Sequence, residues 1–98
     1  MIVNILDDAE QDILDGFRFY GSQSSGAADY FLDGIYSDID TLALSAGVHQ
    51  KSKGYYRLLS KRFPYAVYYT VDQHQVYVWA VLDCRRNPAV IDERLGEL

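Results

Sequence analysis

One cysteine, Cys84, stands in 98 residues, so no disulfide can close within the chain. A secreted domain this small usually leans on several, and their absence points to a reducing cytoplasm. No apolar run approaches the roughly 18 residues that a membrane span needs, and Met1–Leu6 lacks the basic start of a signal peptide. The expectation is a soluble protein with no membrane partner. His49 and His74 fall on separate predicted loops, and no closely spaced set of histidines and carboxylates forms a recognisable metal site, so neither metal nor other cofactor is expected. Internal repeats, low-complexity runs and linkers are also missing. The length is that of one domain of about 100 residues, taken as 1–98.

Charge is missing locally as well. Residues 1–40 carry nine acids against one base, Arg18, whereas residues 49–71 carry five bases and no acid. The net charge of −5 argues against a general binder of phosphate backbones. The asymmetry fits an acidic face beside a basic one, where an anionic partner would dock; two solvated faces would give the same pattern.

What is present is apolar periodicity. Met1–Leu6 is short and β-rich, an edge strand or extended lead-in. Asp7 and Asp8 can cap a helix in which Ala9, Ile13, Phe17 and Tyr20 share one face. Gly21–Gly26 reads as a turn, Ser25 as the next cap, and Ala28, Phe31, Ile35, Ile39 and Leu42 as the apolar face of a second helix that stops near Gly47. Such a helical hairpin leaves two wet apolar stripes unless a sheet covers it.

The sheet comes from Tyr55–Pro88, which holds six of the nine tyrosines and the only tryptophan. Val48–Gly54 reads as a loop. Tyr55–Leu59, Tyr65–Val71 and Val76–Asp83 read as an antiparallel meander joined at Ser60–Pro64 and Asp72–Gln75. The last strand is apolar on both faces, hence interior to its sheet, with Trp79 in the core. Pro88 can open a short C-terminal helix over Ala89–Leu95. The fold class is α+β, an N-terminal helical hairpin packed on a small twisted antiparallel sheet.

The strings YYRLLSKRFPYAVYY and VYVWAVLDCRRNP, together with Ala9, Asp12, Ile13 and Tyr20 upstream, resemble the RelE/ParE superfamily of bacterial type II toxins, the plasmid stabilisation proteins among them, over nearly the whole chain. The resemblance implies a toxin neutralised by a cognate antitoxin. One branch cleaves mRNA on the ribosome; the other poisons DNA gyrase without a known active site. Nucleases that this chain resembles carry an Arg just after the first aromatic of the second meander strand and a Tyr near the C-terminus. Here Ala66 follows Tyr65 and no tyrosine follows Tyr77, so only Arg86 matches, and a gyrase-directed binder is expected. A nuclease would have to work with Arg57, Arg62 and Arg86, with His49, His74, Asp83 or Glu93 as substitutes for the missing groups.

The expected partner surface is a basic rim of Arg57, Lys61, Arg62, Arg85 and Arg86, with Tyr55 beside it. Exposed ion pairs contribute only about 0–1 kcal/mol each, so stability is a weak reason to gather these cations. Arg85 and Arg86 could equally pair with Asp83 or with acids of the hairpin. The histidines read as solvated loop residues, most of the aromatics as core or partner packing, and Cys84 as non-catalytic for want of an assigned base.

Overall fold

In the computed structural model, which describes residues 1–97, the chain runs β1 (Ile2–Ile5), α1 (Asp7–Gln23), α2 (Ala27–Asp40), α3 (Leu42–Ser45), β2 (Lys51–Ser52), β3 (Tyr55–Leu59), β4 (Tyr65–Asp72), β5 (Gln75–Asp83) and α4 (Pro88–Gly96). The fold is α+β. The sheet has the order β1-β5-β4-β3-β2. The three expected strands form an antiparallel meander, which is extended at both edges: β1 joins β5 in parallel and β2 pairs with β3.

The helical hairpin closes where α1 has no side chain. Phe31 of α2 packs on Gly16 so closely that a Cβ there would lie 2.4 Å from its Cζ. Around that contact Ala9, Ile13, Phe31, Ile35 and Ile39 meet Val67, Tyr69, Val76, Val78 and Val81 of the sheet in the larger core. The other face of the sheet has its own smaller core. Ala66, Tyr68, Ala80 and Leu82 are covered by Leu95 of α4, with Ile91 alongside. That second cover explains why β5 is apolar on both faces.

Several local expectations are corrected. α1 continues through Gly21 to Gln23, so the turn is shorter than Gly21–Gly26. Asp7 and Asp8 lie in its first turn, where they favour the positive end of the helix dipole, but Leu6 is the N-cap and no side chain caps it. Gly26 at φ 81° caps α2 in place of Ser25. Leu42 belongs to the separate turn α3, and Gly47 follows that turn at φ 95°. The Val48–Gly54 loop contains β2, because Lys53 and Gly54 both adopt positive φ and form the tight hairpin turn that returns into β3.

Trp79 is only half-buried. A bulge leaves it unopposed, since Tyr69 pairs with Val78 while Tyr68 pairs with Ala80. The extra residue turns Val81 back toward the hairpin, whereas the Trp79 indole donates to Thr70 Oγ1 at 2.8 Å and its ring meets Tyr55 edge-on. Pro88 opens α4 as expected, and the Asn87 side chain caps it by accepting the Ala89 N–H.

Candidate functional site

The site begins with a strand that is too short. β2 pairs only with Tyr55 and Tyr56, and the Arg57 N–H reaches back to the Gln50 carbonyl at 2.9 Å. Leu58 and Leu59 have β4 on one side and no strand on the other. Leu59 is 55% exposed. A cleft of about 520 Å³ lies along this edge, lined by His49, Gln50, Lys51, Ser52, Arg57, Leu58 and Leu59. An open strand edge carrying an exposed leucine is a template for an added chain.

The cations at this edge face no carboxylate: none lines the cleft, and no ion pair among the described residues involves Lys51 or Arg57. Lys51 instead lies 4.8 Å over the Tyr56 ring, which stacks on Tyr69. Arg57 donates from Nε to the Tyr68 hydroxyl at 3.3 Å and from Nη2 to Cys84 Sγ at 3.4 Å. The Tyr68 hydrogen bond raises its pKa further, so it stays charged. These are held but uncompensated charges, suited to an anionic partner.

His49 is not the solvated loop residue that its sequence context suggests. Its Nδ1 contacts the hydroxyl of Tyr69, which also accepts the Gly47 N–H at 2.9 Å. Tyr69 itself is fully buried. Burial pushes its phenol pKa up, against the pull of the Gly47 and His49 backbone N–H groups. His74 is exposed at the β4–β5 turn.

The remaining rim residues are spread over other surroundings. Lys61 is exposed, and its backbone N–H donates to Asp38 Oδ2 at 3.3 Å. Asp38, at 5% exposure, is the buried acid that fixes the Ser60–Pro64 turn against α2. Arg62 lays its stem across Gly34 and its guanidinium 4.5 Å over Tyr30. Arg85 is taken by Asp83 in a two-pronged pair at 2.7 and 3.0 Å, which holds the Asp83 carboxyl below its usual range. Arg86 lines a different cleft, of about 170 Å³, with Asp12, Asp15, Asp83, Phe19 and Tyr65. Tyr55 is half-buried on the α4 side and donates to the Leu95 carbonyl at 3.4 Å.

Thus Arg57 alone of the proposed rim lines the β3 cleft, and Arg57, Arg62 and Arg86 do not share one. Sequence reasoning missed Lys51 and Leu59 as its companions and named His49 only as a substitute group for a nuclease. The signal available was the length of Val48–Gly54, enough for a two-residue strand and a turn. Among the described residues no group of histidine, cysteine and carboxylates is placed to hold a metal ion, and no helix is long and apolar enough to cross a membrane.

A family model described as the ParE toxin of type II toxin-antitoxin system, parDE, matches residues 3–88. Among solved structures, a chain of the chromosomal ParDE TA system from P. aeruginosa is similar at a TM-score of 0.69 and 16% identity, over 83% of this chain and 92% of that chain. At that identity the likeness concerns the fold. No curated protein sequence matches.

Proposed function

The chain belongs to the ParE toxin family of type II toxin–antitoxin systems, and from that premise we propose that it acts in the cytoplasm by binding DNA gyrase and is neutralised by a cognate antitoxin that occupies the β3 cleft. The whole of 1–98 then works as one toxin domain. The observation that carries this reading is the pair of uncompensated cations, Lys51 and Arg57, beside the open edge at Leu58 and Leu59. An extended acidic segment laid along β3 would satisfy the bare backbone, cover Leu59 and bring carboxylates to both cations.

Binding without bond cleavage is supported by the dispersal of Arg57, Arg62 and Arg86, and by Ala66, fully buried under α4 where a nuclease of this type would place an arginine. A second reading, a ribosome-dependent mRNA endoribonuclease, rests on one observation: His49, Lys51 and Arg57 line the same cleft, and a proton-transferring group beside cations is what RNA cleavage requires.

Expression of the chain with and without the adjacent gene product, followed by primer extension on translated mRNA and a DNA-cleavage assay with gyrase, separates these readings. Growth arrest relieved by the neighbour, with DNA breaks and intact mRNA, is the expected result. Cuts within codons would establish the nuclease instead. Normal growth with retained complex formation would identify a non-toxic antitoxin binder, and normal growth without a complex would sink the proposal.

A further inference from the structure

The His49–Tyr69 contact has a proton logic that the binding reading does not use. The Tyr69 oxygen accepts the Gly47 N–H, and giving its own proton to His49 Nδ1 satisfies the phenol as both acceptor and donor. That arrangement needs an imidazole unprotonated at Nδ1. Once Nδ1 carries a proton, two donors face each other and the hydroxyl proton of a fully buried tyrosine loses its acceptor, which is costly where water cannot replace it.

The groups around His49 do not offset the added charge. Lys51 of β2 and Arg57 of β3 line the same cleft, and the remaining lining residues are Gln50, Ser52, Leu58 and Leu59. From β4 comes Tyr69, and Tyr56 of β3 stacks behind it. No carboxylate lines the cleft from any of these elements. Lys51 adds a like charge on the Tyr69 side of the sheet, over the Tyr56 ring, whereas the Arg57 guanidinium is turned to the other face, on Tyr68 and Cys84.

We propose that His49 is a proton-operated latch: neutral, it fastens the Gly47–Gln50 loop to the buried Tyr69 hydroxyl, and protonated, it releases that loop and the short strand β2 that follows. Gln50 holds the Arg57 N–H and β2 pairs with Tyr55 and Tyr56, so release extends the open edge of β3 from Leu58 back through Arg57 to Tyr55 and adds positive charge to its rim. Histidine is the side chain whose charge ordinarily changes between pH 5 and 8, the interval that the test scans. The consequence for a partner rests on the binding reading above; the latch itself does not, and it is tested on the isolated chain.

The test is amide hydrogen exchange followed by NMR between pH 5.0 and 7.5, corrected for intrinsic rates, on the native chain, His49→Gln and Tyr69→Phe. In the native chain protection at Gly47 and Arg57 should fall about tenfold toward pH 5, the size of one lost buried hydrogen bond, while amides of β4 and β5 hold. His49→Gln should abolish the pH dependence, and Tyr69→Phe should leave Gly47 unprotected at every pH. Flat protection in the native chain, or an equal fall in His49→Gln, overturns the latch. The His49→Gln comparison decides the matter alone if Tyr69→Phe does not fold.

Discussion

Arg94 grips Asp12 with both terminal nitrogens, each at 2.8 Å, across nearly the whole length of the chain. The reason lies at the end of β1. Ile5 pairs with Val78, and beyond that point β5 has no neighbour on this side. Asp12 takes the place of the missing strand by accepting the Val81 N–H at 3.0 Å, and Arg94 ties α4 to the same carboxylate. Burial pushes the Asp12 carboxyl pKa up, while Arg94 and the Val81 N–H pull it back. The family match ends at residue 88, where α4 begins, so the arginine of this tie lies outside it.

Removing either partner should therefore be unequal in effect. Asp12→Ala strands both a backbone donor and a guanidinium and should cost about 2–3 kcal/mol; Arg94→Ala should cost about 1–2 kcal/mol. Urea unfolding of both single variants and the double variant measures this. The cycle should return a coupling of about 1 kcal/mol or more.

The two buried helical glycines should answer unequally to alanine. Gly16→Ala drives a methyl into the Phe31 ring, which is locked among Tyr20, Phe63 and Tyr65, so a loss of about 2 kcal/mol or more is expected. At Gly34 the nearest atom is Arg62 Cδ at 3.0 Å, the stem of a flexible and exposed side chain. There the gain in helix propensity, about 1 kcal/mol, should offset the displacement of Arg62. Thermal melts of the two variants check the contrast.

Alkali should unfold the chain through Tyr65. Its phenol is pushed up to about 12 by burial first and by the Asp83 charge second. A folded pKa above the unfolded value means that the contribution is fully present below about pH 10 and is lost as pH rises through about 12. Absorbance at 295 nm should show two phenols, Tyr65 and Tyr69, lagging behind the exposed ones, and Tyr65→Phe should remove one phenol's share of that late step.

The arginines of the expected rim should separate by charge reversal. Arg85→Glu breaks a solvent-exposed pair, the kind that water and salt screen most, and should leave antitoxin affinity within about threefold. Arg57→Glu places a negative charge in the β3 cleft and should weaken binding at least about tenfold and reduce its salt dependence. Calorimetric titration at two salt concentrations reads both.

Much of the fold is legible in the chain because burial imposes periodicity. Ala9, Ile13, Phe17 and Tyr20 recur at helical spacing, and Tyr65, Val67, Tyr69 and Val71 alternate as a half-covered strand must. Fewer of the site's features are. Neither β2 nor the bulge at Trp79 leaves a pattern, since two residues are too few for a period and one extra residue merely shifts it. Arg57, Lys61, Arg62, Arg85 and Arg86 look alike in sequence, yet Arg57 meets a thiol and a phenol, Arg62 a tyrosine ring, Arg85 a carboxylate and Arg86 an acidic cleft, while Lys61 is exposed.

By itself the sequence determined where the helices and the meander lie and that acids and bases are separated along the chain, because local propensity and apolar spacing are written in neighbouring residues. Tertiary structure alone decided which cations are left without a counter-charge and which hydroxyl meets which imidazole. Those outcomes depend on distances between residues remote along the chain, and such distances are fixed only when two sheet faces, a helical hairpin and a final helix are packed together.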